Sequence, residues 1–220
     1  MKSVFITLFS VFCAVASAAS GPKGAQLKDG WYFIKNPGTG KYLQVSGAKS
    51  NGVGGNVVIS KGTKDNGQKW KLTNVGNGLV TLTTALGDYN IDVSGGENKN
   101  GANIQLYTAY GHDAQQFMIL KTKEKNVYTI GTRVSYFDKA LDIEGMGTDD
   151  GTNVLQWTNE MKSNQFWSFE RADGEEEEEC WSETLGYSCC SKCQESVYDD
   201  ESGHWGVEKD QWCGILPSCF

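Results

Sequence analysis

The densest chemistry in this chain lies near its C-terminus, where Cys180, Cys189, Cys190, Cys193, Cys213 and Cys219 all fall within residues 180–220. Thiols crowded into so short a segment of an exported protein point to disulfides, which stabilise modules too small to bury a sufficient core. Six cysteines permit fifteen pairings, and spacing does not choose among them. Cys190-Ser191-Lys192-Cys193 also has the spacing of a zinc-ligand pair, but an oxidising compartment favours the disulfide reading. The seventh cysteine, Cys13, belongs to the apolar N-terminal run, and the histidines are His112 and His204 alone. A Cys-His or Ser-His nucleophile therefore lacks its parts, so no catalytic residue, metal or cofactor is assigned.

The surrounding chain is organised by composition. Residues 1–19 read as a secretory signal: Lys2, an apolar run from Val4 to Val15, and the small cleavage-type residues Ala16-Ser17-Ala18. The run is too short to span a bilayer, and no later stretch approaches the roughly 20 apolar residues of a membrane helix. A secreted, extracellular protein is expected. Of the formal net charge of −7, Asp173 and Glu175 to Glu179 supply −6. Residues 180–220 hold seven acids and two bases, or −5, which leaves +4 for the remainder. A like-charged run without apolar residues repels itself, so residues 172–179 read as an acidic linker. No basic stripe with stacking aromatics is present, so nucleic acid is not an expected partner, and neither is a membrane.

Between signal and linker, the chain repeats itself. Gln68-Lys69-Trp70, Gln115-Gln116-Phe117 and Gln165-Phe166-Trp167 recur at intervals of 115 − 68 = 47 and 165 − 115 = 50 residues. Periods of this size mark one supersecondary unit used several times, each unable to bury its apolar face alone. Each unit contains four short β-type runs separated by Gly, Asn and Asp turns. The first has Trp31–Ile34, Tyr42–Val45, Val57–Ile59 and Trp70–Leu72; the second, Leu79–Leu82, Asn90–Val93, Ile104–Tyr107 and Phe117–Leu120. The third has Val127–Ile130, Leu141–Ile143, Val154–Trp157 and Phe166–Phe169. No segment carries the apolar period of a useful helix. Twelve strands in three sets of four predict a closed all-β body, since closure removes exposed sheet edges. The recurring Trp70, Phe117 and Trp167 are expected to fill its core.

On these triplets, residues 27–171 resemble a ricin-type β-trefoil lectin domain, whose hallmark is a Gln-x-Trp motif in each of three subdomains. The resemblance implies a shallow sugar pocket per subdomain, made from an Asp early in the repeat, an aromatic after the third strand and polar residues leading into the triplet. The chemistry suits a sugar. A carboxylate accepts charge-assisted hydrogen bonds from neighbouring hydroxyls, an aromatic face covers the C–H face of a pyranose, and amides fix orientation. The third repeat carries the fullest set, with Asp142, Leu155, Trp157, Asn164 and Gln165. The second has Asp92, Gln105, Tyr107 and Gln115, but Ala114 where an Asn is expected; His112 lies in the adjoining loop. The first has Gln44 for the acid, Lys61 at the aromatic position and Gly67 before Gln68, and reads as a structural copy.

Residues 180–220 are similar to the fungal dockerin, a disulfide-bonded module of cell-wall-degrading enzymes in anaerobic fungi, related to small cellulose-binding modules. The resemblance rests on Cys189-Cys190, Gly203-His204-Trp205-Gly206 and Trp212-Cys213-Gly214. It implies docking onto a scaffoldin through Tyr187, Asp200 and Trp205, while Trp181 and Trp212, each beside a cysteine, are expected in the core. The combined expectation is an all-β protein, a trefoil of three four-stranded repeats plus a small disulfide-rich module. It would act as a noncatalytic subunit that binds plant cell-wall polysaccharide or its oligosaccharides and attaches to a cellulosomal scaffoldin. A monomer before docking is expected, with no stretch of the sequence left for a separate catalytic domain. The competing readings are a glycoside hydrolase built on paired carboxylates and a protein-binding or inhibitory trefoil.

Overall fold

The computed structural model describes residues 24–47, 54–172 and 180–220. The expected signal, and all but Ala172 of the expected linker, lie outside them. Twelve strands build the repeated region. They are β1 Gly30–Lys35, β2 Tyr42–Ser46, β3 Asn56–Ser60, β4 Lys69–Gly76, β5 Leu79–Thr84 and β6 Tyr89–Val93. The rest are β7 Ala102–Thr108, β8 Phe117–Lys121, β9 Tyr128–Thr132, β10 Lys139–Ile143, β11 Val154–Thr158 and β12 Ser168–Arg171. Every predicted run overlaps an observed strand, and the only helices among the described residues are short 3₁₀ turns. Several boundaries move, among them the last: Ser163–Gln165 is a 3₁₀ turn, and the final strand begins at Ser168 rather than Phe166.

Pairing explains why three copies are needed. In each repeat the first strand meets the fourth, β1 with β4, β5 with β8, and Tyr128 of β9 bridged to Trp167 just before β12. Successive repeats join through β4–β5, β8–β9 and β12–β1, closing a ring of six strands. The remaining strands form the hairpins β2–β3, β6–β7 and β10–β11. These hairpins touch one another at Asn56–Gln105, Asn103–Leu155 and Val58–Asn153. Amide side chains reinforce that meeting point: Asn56 donates to Asn153 at 2.9 Å and Asn103 donates to Asn56 at 2.8 Å. Among the described residues each of these strands except β12 pairs with at least two others, which is how closure replaces negative design at edges.

One apolar cluster fills the ring and draws on all three repeats. Trp70, Phe117 and Trp167 are fully buried in it, as their recurrence predicts. Each buried indole N–H needs an acceptor. Trp70 Nε1 donates to the Leu43 carbonyl at 3.0 Å and Trp167 Nε1 to the equivalent Leu141 carbonyl at 3.2 Å. Phe117 fills the same place without a polar handle, so the second repeat keeps the packing and forgoes the bond.

The C-terminal module has its own four-stranded sheet, ordered β13 Ser188–Cys189, β16 Gln211–Gly214, β15 Gly203–Glu208, β14 Tyr198–Asp200. Its disulfides pair Cys180 with Cys189, Cys190 with Cys213 and Cys193 with Cys219. All six sulfurs are consumed, so Cys190 and Cys193 have no thiolate to offer a metal. The buried aliphatic and disulfide cluster here is only Cys190, Cys213 and Ile215 with Cys219 against it. A core that small needs covalent support.

Candidate functional site

Strand register places the candidate sugar groups together in two repeats. Asp92 on β6 faces Gln105 on β7, and Asp142 on β10 faces Leu155 on β11. Side chains two residues apart on a strand share a face, so Tyr107 and Trp157 stand beside Asp92 and Asp142 respectively. Both rings are surface-exposed, Tyr107 at 40% and Trp157 at 41%, while the two carboxylates lie at the bottom of the hairpins, 4% and 6% exposed. An exposed ring beside a recessed carboxylate is the arrangement that a pyranose with one polar edge and one C–H face requires.

The same register corrects the first repeat. Gln44 faces Val58, so the residue equivalent to Tyr107 and Trp157 is Ser60, not Lys61. The first copy therefore lacks both the carboxylate and the ring; counting eight residues back from each motif glutamine gives the same three positions, Ser60, Tyr107 and Trp157.

The glutamines of the triplets have a different job from the one the resemblance implies. Gln68, Gln115 and Gln165 are all buried. Gln165 Nε2 donates to Asp142 Oδ2 and to the Thr158 carbonyl, both at 2.8 Å, while its Oε1 accepts the Glu160 N–H at 2.8 Å. Gln115 repeats this with Asp92 Oδ2 at 3.2 Å, the Thr108 carbonyl at 2.8 Å and the N–H groups of Tyr110 and Gly111 at 3.0 and 2.9 Å. Gln68 clamps Gln44 at 2.8 Å and the Lys61 carbonyl at 2.7 Å in the same way. These amides have no donor hydrogen left over: Gln115 and Gln165 spend both on the carboxylates and on the loops that precede them. Leu155 is buried as well and presents no polar group.

Burial pushes the carboxyl groups of Asp92 and Asp142 above the ordinary range. For Asp92 the amides of Gln105 and Gln115, and then His112, work against that rise. For Asp142, Gln165, Asn164 and Lys162 oppose it, while Glu160 adds to it. Each site thus holds a carboxylate that is partly desolvated and partly satisfied, with lone pairs to give. In the third repeat, Asn164 Nδ2 donates to the Ile143 carbonyl at 3.3 Å, and its Oδ1 is buried with no partner.

A cleft accompanies the second of these sites. An open cleft of about 540 Å³ lies over the second repeat, lined by Asp92, Gly96, Gln105, Tyr107, His112 and Ala114 among others. Val134, from the turn between β9 and β10, forms its far wall, and that turn is held by an ion pair from Arg133 Nε to Asp113 at 3.2 Å. Counting equally from the two acids and the two glutamines, Met146 and Asn164 stand in the third repeat where Gly96 and Ala114 stand in the second. Ala114, which looks like a defect in sequence, is part of the lining of this cleft.

Residues 22–107, 90–157 and 113–177 match the family model described as ricin-type beta-trefoil lectin domain-like. The chain belongs to this family. Among solved structures, this lectin-like trefoil is similar to a designed threefold-symmetric protein, ThreeFoil, at 31% identity and TM-score 0.60, covering 64% of this chain and 98% of that one. The Macrolepiota procera ricin B-like lectin, solved with lactose, shares the fold at 22% identity and TM-score 0.57, covering 67% and 99%. Residues 179–215 match a model described as cellulose or protein binding domain. Curated relatives match through this short region alone. Endoglucanase B of Neocallimastix patriciarum is 58% identical over 40 residues, 18% of this chain and 8% of that protein. Feruloyl esterase B of Piromyces equi is 55% identical over 38 residues, 17% of this chain and 7% of that one. The chain thus spans less than a tenth of the length of these relatives.

In the lectin-like protein's C-terminal module, β15 and β16 pair Trp205 with Gly214 and Gly206 with Cys213. The pleat separates two faces. Gly206 and Cys213 face the Cys190 sulfur, where a Cβ on Gly206 would come within 2.8 Å of Cys190 Sγ. Trp205 and Trp212 share the other face. Trp205 is buried, with Trp181 and Tyr187 edge-on to it at ring-centroid distances of 4.7 and 5.0 Å. Trp212 is 45% exposed, which overturns its expected place in the core: a residue next to a buried cysteine in a strand points the opposite way. Tyr187, Tyr198, Asp200, Trp205 and Trp212 line a small hollow of about 210 Å³. Asp200 begins the β14–β15 turn, accepting the N–H groups of Ser202 and Gly203 at 2.8 and 3.2 Å. Gly203 is required there, since its φ is +152° and a Cβ would lie 2.6 Å from the Trp181 ring.

Proposed function

We propose that this protein is a noncatalytic, exported carbohydrate-binding subunit, whose trefoil holds plant cell-wall polysaccharide at the second and third repeats and whose C-terminal module docks onto a cellulosomal scaffoldin. The observation that carries the sugar reading is the paired arrangement of a recessed carboxylate, clamped by a buried glutamine, beside an exposed ring. Asp92 and Asp142 accept sugar hydroxyls, Tyr107 and Trp157 stack on the ring, and Gln105 and Asn164 orient it. Gln115 and Gln165 act as positioning residues, and Leu155 is an apolar floor. Single shallow sites bind weakly, and two on one polymer gain through effective concentration.

The docking reading draws on the C-terminal hollow and on its relatives. Proteins named as an endoglucanase, a feruloyl esterase and a mannosidase share this segment at 54–58% identity. A segment common to several named activities serves something other than any one of them. Tyr187, Asp200 and Trp205 form the docking set in this reading, and the exposed Trp212 and Tyr198, which line the same hollow, join it. Aromatic side chains in a partly desolvated hollow are the usual anchors of protein interfaces.

A hydrolase would need two carboxyl groups roughly 5 to 9.5 Å apart across one bond. Asp92 and Asp142 lie on different hairpins, and Asp142 does not line the cleft that contains Asp92. The test is a glycan array and polysaccharide pull-down with the full chain and with the Asp92→Ala, Asp142→Ala double variant. Retained polysaccharide in the parent and lost signal in the variant support the sugar reading; equal signals from both sink it.

A further inference from the structure

Three structurally equivalent loops follow the third strand of each repeat, and only one of them presents an aromatic ring beyond the expected pair. Five residues before the motif glutamine stand Thr63, Tyr110 and Glu160, whose backbone N–H groups donate to Gln68, Gln115 and Gln165 at 2.9, 3.0 and 2.8 Å. The backbone is therefore held alike in all three, and the side chain alone differs. Glu160 forms an exposed ion pair with Lys162 at 2.6 Å. Tyr110 is 69% exposed, with its ring centroid 6.2 Å from that of Tyr107 and 6.2 Å from that of His112. A large ring kept in water on an anchored loop contributes little to folding, because burial is what makes such a residue stabilising.

We infer that the second repeat takes an oligosaccharide of at least two rings, with Tyr110 as the platform for the ring beyond the one held by Asp92, whereas the third repeat takes a single ring. This rests on the reading of Asp92 and Tyr107 as a sugar site. Size agrees: the cleft of about 540 Å³ falls within the roughly 300–1,000 Å³ of sites that enclose multi-ring ligands. Two of its lining residues, Gly96 and Ala114, are small. Tyr107 and His112 line the cleft and Tyr110 does not; its ring stands beside both, extending the aromatic run past the cleft wall, where a second sugar ring would meet its face. In the third repeat the run stops at Trp157, where a charged pair follows.

The experiment uses the full chain with Asp142→Asn to silence the third repeat, titrated calorimetrically with two ladders: xylose, xylobiose and xylotriose, and galactose, galactobiose and galactotriose. In the ladder that binds, the dissociation constant should fall about tenfold from one ring to two, the equivalent of one good stacking contact. Adding Tyr110→Ala should bring the two-ring value to within about twofold of the one-ring value and leave the one-ring value unchanged. Tyr110→Phe should keep the gain, since it keeps the face. Equal two-ring affinities with and without Tyr110→Ala overturn the extended site while leaving Asp92 as a sugar ligand. A parent chain that binds while Asp142→Asn does not, or a parent that binds neither ladder, overturns the Asp92 reading and this inference with it.

Discussion

Replacing Asp142 by Asn separates binding from folding, because the two depend on its charge with opposite signs. Gln165 Nε2 needs an acceptor at this position, and an Asn Oδ1 supplies one where Asp142 Oδ2 now sits at 2.8 Å. The clamp survives. Burial raises the Asp142 carboxyl above its ordinary value, so at neutral pH the ionised group is less comfortable folded than unfolded. Its stabilising contribution is present at pH below the unfolded value and is lost as pH rises through the raised folded one. A neutral Asn removes that penalty, and the melting temperature of the variant should equal or exceed that of the parent. Binding moves the other way. A hydrogen bond to a charged group contributes about 1.5–3 kcal/mol, so losing the charge should weaken the third site about 10- to 150-fold. Calorimetry with the best array ligand and a thermal melt of the same sample give both numbers. A variant that binds normally, or one that melts well below the parent, refutes the division of labour between Asp142 and Gln165.

Other consequences can be tested individually. Trp212→Ala, at a half-exposed ring, should abolish scaffoldin capture with the module still folded, whereas Trp205→Ala should unfold the module, at a cost of about 3–5 kcal/mol for a buried aromatic; circular dichroism of each variant distinguishes them. Reduction with dithiothreitol should unfold residues 180–220 and leave the cysteine-free trefoil protected in hydrogen exchange. The Tyr42 phenol, raised to about 12 by burial and by its bonds to Glu170, contributes stability that is complete below pH 10 and lost as pH climbs through 12; Tyr42→Phe should flatten that alkaline decline in a urea-midpoint series. Sugar binding should weaken on acidification at a higher pH than an exposed Asp would allow, since both site carboxylates are raised, and a profile flat down to pH 4 contradicts it.

The trefoil was legible in sequence because its signals are local: alternating apolar runs, Gly and Asn turns and a triplet repeated three times. Its pairing details were less so. Gln44 facing Val58 puts Ser60 rather than Lys61 at the aromatic position, although counting eight residues back from Gln68, as from Gln115 to Tyr107, gives Ser60 too. The glutamines look like ligands in sequence because they are polar and recur, yet recurrence here reflects a buried clamp whose partners are backbone groups five to seven residues back. Ala114 reads as a missing group until the cleft shows it as part of a lining. Trp212 was misplaced by its neighbour: Cys213 is buried, but a strand alternates, and that alternation puts the indole on the opposite face beside Trp205. Tyr110 carried no signal at all apart from its distance to Gln115.

The central claim is that sugar meets this chain at Asp92 and Asp142 and nowhere in the first repeat. Residue-resolved NMR of the full-length chain, titrated with the oligosaccharide that scores highest on the array, tests it in one measurement. The account predicts shifts in the backbone amides flanking Asp92, Tyr107 and Asp142, and in the Trp157 indole N–H, with Gln44, Ser60 and Gln68 unmoved. Shifts concentrated around Gln44 and Ser60, or confined to residues 180–220, contradict it.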